Sequence, residues 1–130
     1  MAIQTKRERA RFSRLCQELR QLVGQVVRLS QTLLSDKPLM RGTLYELRRK
    51  CGKPACKCGA GHLHSTMVVV TSEEGRKKLR VVAKGDLVET KIKTDRYRKL
   101  RRARAELVKL IGQIVRVIDQ MEALRREEKK

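Results

Sequence analysis

Cys51, Cys56, Cys58 and His64 follow one another with the spacing C-x4-C-x-C-x5-H. Three thiolates and one imidazole make the donor set of a closed, tetrahedral zinc site, which contributes folding energy rather than reactivity. Glycines and a proline interleave with the donors, as a chain bending around a small ion requires. His62 is the alternative fourth ligand; His64 is preferred because it directly precedes a predicted strand that would anchor it. A catalytic zinc needs an open position and an acid–base group beside it, and no carboxylate occurs between Glu46 and Glu73. The metal is therefore read as structural Zn2+. Cys16 stands apart on an apolar helical stripe and is read as a small buried residue.

The second chemistry is cationic. Lys and Arg number 33 against 14 Asp and Glu, giving a formal charge of +19 and a pI of about 10.7. An excess of that size repels itself in a compact chain and points to a polyanionic partner. Its densest stretch is Lys91 to Arg104, where Lys91, Lys93, Arg96, Arg98, Lys99, Arg101, Arg102 and Arg104 face the single acid Asp95. With Tyr97 and Leu100 turned to a helical seam, Arg102, Lys109 and Arg116 recur every seven residues on the opposite side, with Arg98 one turn earlier. Such a row can follow a phosphate backbone. Arg48, Arg49, Lys50, Lys53 and Lys57 surround the cysteine cluster, where contacts would be positioned rather than diffuse. Arg7, Arg9, Arg11 and Arg14 form a further group. Phe12, Tyr45 and Tyr97 are the only aromatics, too few for a binder that stacks single-stranded bases on rings.

The elements that must position these groups are two helices and a β segment. Phe12, Leu15, Leu19, Leu22, Val26, Leu29 and Leu33 step by three and four, a heptad seam on a helix that Ser35-Asp36-Lys37-Pro38 ends near Leu34. Tyr97, Leu100, Arg104, Leu107, Ile111, Ile114, Ile118 and Met121 repeat the pattern, broken only at Arg104. That helix is predicted to start at Leu87, with Asp86 and Glu89 as a capping box and a change of phase near Thr94-Asp95. Between the helices, Arg41–Arg49, Thr66–Thr71 and Arg76–Ala83 read as three antiparallel strands. Thr43, Tyr45 and Leu47 share one side of the first, and Ser72-Glu73-Glu74-Gly75 turns between the last two. The expected fold is α+β: one domain over 1–130, made of an N-terminal helix (1–37), a zinc-knuckle β segment (38–83) and a long C-terminal helix (84–130). The helices form an antiparallel, coiled-coil-like hairpin with sheet and zinc at its tip. Val23, Val27 and Leu34 on one helix, and Val108, Leu110, Val115 and Val117 on the other, flank the seams. They would leave an apolar patch that a homodimeric four-helix bundle, or another helical partner, could bury.

Arg41-Gly42-Thr43-Leu44-Tyr45-Glu46, then Arg48-Arg49, Cys51-Gly52-Lys53-Pro54-Ala55-Cys56-Lys57-Cys58 and His64, resemble a family of short bacterial and phage proteins of unknown function. Its members pair an R-G-[ST]-L-Y opening with a C-G-K-P-x-C-x-C knuckle, a strand and a long C-terminal helix. The resemblance covers roughly Arg41 to Leu100, and the knuckle is its specific part. Family members often carry aromatics just after the histidine, where this chain has Ser65-Thr66-Met67-Val68. The resemblance implies the zinc ligands and supplies no activity.

The expected function is nucleic-acid binding, to duplex DNA before RNA, as an accessory or regulatory factor of a phage or mobile element. The DNA preference rests on the scarcity of aromatics and on the setting that the resemblance implies. An RNA-binding or ribonucleoprotein subunit is one alternative, and a coiled-coil assembly protein docking on a larger partner is another. No nucleophile–base pair, phosphate loop or carboxylate cluster suggests an enzyme. The opening residues lack the apolar run of a signal peptide, and no stretch approaches the roughly 20 apolar residues of a membrane span. The expected location is the cytoplasm, at the bacterial nucleoid or in a phage-infected cell.

Overall fold

The structure, a computed structural model, describes residues 3–50, 52–56, 61 and 63–127. Helix α1 runs over Lys6–Leu33, strands β1, β2 and β3 over Thr43–Arg49, His64–Glu73 and Arg76–Val81, and helix α2 over Leu87–Arg125. The architecture is thus two helices and a three-stranded antiparallel sheet, an α+β fold. No helix among the described residues is long and apolar enough to cross a membrane.

Both ends of α1 have local causes. Thr5 Oγ1 accepts the Glu8 N–H at 3.0 Å, while Glu8 Oε2 accepts the Gln4 N–H at 3.0 Å. This reciprocal pairing satisfies donors that a helix start leaves bare. The helix stops after Leu33, just before the predicted Ser-Asp-Lys-Pro turn, with the Leu34 N–H closing on the Ser30 carbonyl at 2.8 Å. α2 starts at Leu87 as predicted, but not through the expected capping box. Asp86 closes a short 3-10 turn, Lys84–Asp86, and Glu89 Oε1 pairs forward with Lys93 Nζ at 2.7 Å.

The chain packs as two compact units: Met1–Ser35 with Leu100–Lys130, and Asp36–Lys99. In the first, Leu15 and Leu22 of α1 are buried with Leu110 and Val117 of α2, and Leu19, Val26, Leu29, Ile114, Met121 and Leu124 pack against them. The α1 seam is the predicted one. The α2 seam is not: the inward line is Ala103, Leu107, Leu110, Ile114, Val117 and Met121, with Ile111 and Ile118 about half exposed and Arg104 in solvent. Leu110 and Val117, expected on the flank, form the core. The face of α2 is apolar over more than a heptad seam's width, so two lines one residue apart both satisfy the three-four spacing. Packing selects the line in which small Ala103 replaces Arg104, because burying an unpaired guanidinium is costly.

In the second unit the sheet has the order β1-β2-β3. Pairing runs from Thr43↔Val70 to Arg49↔His64, and from Val68↔Val81 to Glu73↔Arg76. Successive residues point to opposite faces of a strand, so the burial of both Val68 and Val69 means that central β2 is covered on both faces there. The edge strands are poorer. On β1, Leu44 and Leu47 are half-buried while Thr43 and Tyr45 are exposed, and on β3 Leu79 and Val81 are exposed. The predicted inward side of β1 is therefore not uniformly inward. The β2–β3 loop is two residues, Glu74 and Gly75, both at positive φ (52° and 76°), the requirement of a type I′ turn. Gly42 is demanded by space: at φ 131°, a Cβ there would stand 2.6 Å from Val69 Cγ1 and 2.9 Å from the Val70 carbonyl oxygen.

The predicted change of phase along α2 is present. Thr90 and Thr94 are buried in its first part, with Thr94 Oγ1 donating to the Thr90 carbonyl at 2.9 Å. Thr94 and Ala103, nine residues apart, stand on opposite sides of a helix with 3.6 residues per turn. The observed seam makes a direct forecast. Leu110→Ala should lower the unfolding free energy by about 2–5 kcal/mol and Ile111→Ala by less than half as much, measured by denaturant melts; the reverse order would restore the seam through Ile111.

Candidate metal centre and basic surfaces

His64 is the first residue of β2 and pairs across the ladder with Arg49, the last of β1, so the predicted anchor of the imidazole exists. Cys56 closes a turn over Lys53-Pro54-Ala55-Cys56 through its N–H to the Lys53 carbonyl at 3.1 Å, with Pro54 where a turn favours it. The two are brought together: Cys56 Sγ lies 3.1 Å from His64 Nε2. Ligands held at about 2.3 Å (S) and 2.1 Å (N) on one tetrahedral zinc stand about 3.5 Å apart. The observed separation is close to that edge, and a half-buried thiol beside an imidazole is the chemistry zinc selects. Cys51, Cys58, His62 and Lys57 lie outside the described residues. Among the described residues no three His, Cys, Asp or Glu gather to hold a metal ion, and Cys16 and Cys56 are free cysteines. Cys16 is half-buried on α1.

The strand ends beside this pair carry Arg48, Arg49 and Lys50, which with Lys53 are exposed. Arg48 is already engaged: its Nε donates to Glu46 Oε1 at 3.3 Å, and the same oxygen accepts the Ser65 hydroxyl. The Ser65 hydrogen bond first, and the Arg48 guanidinium second, hold the Glu46 carboxyl below its ordinary value of 4.5. Arg96, expected as a phosphate contact, instead has a structural task. It is half-buried, and its Nη1 donates to the Pro38 carbonyl at 2.9 Å, while the Met40 N–H donates to the Lys93 carbonyl at 3.1 Å. These two bonds tie the linker preceding β1 to α2, which the sequence could not reveal because the partners are 58 residues apart. Arg98 and Lys99 are exposed.

In the first unit Arg101, Arg102, Lys109 and Arg116 are all exposed. Arg102, Lys109 and Arg116 each precede by one residue a member of the buried line Ala103, Leu110, Val117, so they lie about 100° to one side of it and about 10.5 Å apart. α1 follows the same rule: Arg14, Gln21 and Arg28, all exposed, each precede Leu15, Leu22 and Leu29. Arg28 was not singled out from sequence; the signal is its place one residue before a seam leucine. Arg20, Gln21, Gly24, Gln25 and Arg28 line an open hollow of about 450 Å3 on this helix. Each unit is basic by itself: 16 Lys and Arg against 7 Asp and Glu in the first, 17 against 7 in the second. No protein-family model, curated protein or solved structure matches the chain.

Glu46 is the one acid set among the basic residues at the strand ends. Glu46→Gln should free Arg48 and raise affinity for polyanions severalfold, read by titration against duplex DNA. The sign with pH follows from the lowered carboxyl: the stability that its pairing contributes is present above 4.5 and is lost as pH falls through the lower folded value. The Gln variant should accordingly lose less stability than the parent on acidification through that window.

Proposed function

We propose that the chain binds nucleic acid, duplex DNA in preference to RNA, through phosphate contacts from its helices and from the strand ends around a structural zinc. The observation that carries the reading is the heptad offset of the basic residues. Arg102, Lys109 and Arg116 on α2, and Arg14 and Arg28 on α1, occupy the same flank of their buried lines, and none of them has a carboxylate partner among the described residues. The scarcity of aromatics and the regular spacing favour a phosphate track over base stacking.

α1 and the 100–125 part of α2 are inferred to run antiparallel, as a hairpin. Pro38 and Met40, five and seven residues beyond α1, are bonded to Arg96 and Lys93, which supports an α1 that ends near that stretch of α2. From there only an antiparallel course lets Leu15 and Leu22 share a core with Leu110 and Val117. On antiparallel helices the same rotational sense falls on one side of the pair, which gathers the four arginines and one lysine on one face. Zinc is proposed on Cys51, Cys56, Cys58 and His64, supported by the Cys56–His64 approach. It would fix the loop that carries Lys53 and Lys57 against the sheet.

Binding should weaken steeply with salt, with a log–log slope of about −0.9 per phosphate neutralised. Arg102→Ala, Lys109→Ala or Arg116→Ala should each weaken all duplex sequences alike and make the slope shallower by about one. A flat salt dependence, or a slope unmoved when all three are removed, would refute the reading. Competition with structured RNA decides between the two nucleic acids. Protein purified without chelators should carry one zinc per chain by atomic absorption. Cys56→Ser or His64→Ala should lose it and loosen the sheet, with Cys16→Ala retaining full occupancy.

A further inference from the structure

The other flank of the buried lines is apolar. On α2 the residues that follow the seam by one position, together with their neighbours at three-four spacing, are Arg104, Val108, Ile111, Val115, Ile118 and Glu122. On α1 the corresponding flank carries Cys16, Arg20, Val23, Val27, Ser30 and Leu34, of which Val23, Val27 and Leu34 are exposed aliphatics. These seven aliphatic side chains leave about half or more of their surface to solvent. The two stripes have the same rotational sense, so on the antiparallel pair they lie on one side, away from the arginines. Their exposed area is on the order of 600 Å2, at the upper limit for a monomer's largest patch. Doubled, it reaches about 1,200 Å2, the lower bound of a specific protein interface.

The order of residues on α2 says what covers this side. The stripe reads the same in both directions about position 113: Arg104 mirrors Glu122, Val108 mirrors Ile118, and Ile111 mirrors Val115. Two antiparallel copies of α2 related by a two-fold axis would therefore set aliphatic on aliphatic throughout and close each end with an arginine against a glutamate. An isologous contact needs such self-complementarity of residue types. Within the chain, Glu122 is held by Arg126, and Arg104 is exposed. Of the charges on α2's stripe, Arg104 would face Glu122 of the second copy, while Arg102, Lys109, Arg116, Arg14 and Arg28 stand on the opposite flank.

We propose that this side is the interface with a second copy of the chain, packed α2 on α2 as a four-helix bundle. The two basic faces then point away from one another, and one dimer can hold two nucleic-acid segments at once. The arrangement of faces rests on the antiparallel, nucleic-acid-binding reading above; the dimer itself is measured without nucleic acid.

Sedimentation equilibrium of the full chain, freed of nucleic acid, should show a dimer at micromolar concentration. Val115→Asp should convert it to a monomer with unchanged helical circular dichroism, since that side chain is not in the monomer's core. Arg104→Glu and Glu122→Arg should each weaken dimerisation about tenfold, and the double exchange should restore it, because the mirrored pair is rebuilt with its signs reversed. A monomer throughout the micromolar range, a dimer indifferent to Val115→Asp, or a double exchange as weak as its parts combined would overturn the proposal. On beads carrying one duplex, the parent should capture a second, labelled duplex and Val115→Asp should not. Equal capture by that monomer would overturn bridging through the dimer. A dimer that binds no nucleic acid would leave the interface standing and refute the function proposed above.

Discussion

Each helix of the first unit can bury one narrow line, and the sharing of Leu15 and Leu22 with Leu110 and Val117 sets what every other side chain on those helices faces. A residue one position before the line turns about 100° one way and a residue one position after turns about 100° the other. Arg14, Arg28, Arg102, Lys109 and Arg116 stand on the first flank and the exposed aliphatics Val23, Val27, Val108, Ile111, Val115 and Ile118 on the second, so the core contact aims both sets at once. Moving the line by a single residue would bury Arg104 and carry Leu110 and Val117 into solvent. The position of the core is therefore also the position of the proposed function.

The second unit works with less apolar material. Val68 and Val69 are its buried aliphatics, and its edge strands leave Tyr45, Leu79 and Val81 exposed. The linker before β1 is fixed by bonds to α2 from Pro38 and Met40, and Gly42 lets the backbone pass within contact of Val69. A sheet of this size has limited hydrophobic stabilisation of its own. The thiol–imidazole approach of Cys56 and His64 at the open end of β1 and β2 is where a metal cross-link would add most, by closing a loop the core does not hold.

Electrostatics runs through both units in one direction. Among the described residues, Glu46 pairs with Arg48, Glu73 with Lys78, Glu89 with Lys93 and Glu122 with Arg126, each over five residues or fewer of chain. Solvent-exposed pairs of this kind add little stability. Their effect is to subtract individual cations from the surfaces offered to a polyanion, which makes the arginines left outside them the informative ones.

The sequence alone determined the α1 seam, the C-terminal end of α1, the start of α2, the change of phase along α2, the three antiparallel strands and the place of the turn between the last two. All of these rest on spacing, turn formers and local hydrogen bonds among residues close in the chain. What only the tertiary structure decided was which of two adjacent apolar lines on α2 is buried. A wide apolar face satisfies the heptad rule twice, and only a facing helix distinguishes Leu110 from Ile111. Tertiary structure likewise diverted Arg96 from the solvent to the Pro38 carbonyl. It also carried Cys56 to within 3.1 Å of the strand-borne His64: the spacing named the candidate ligands, but their approach depends on where the β ladder ends.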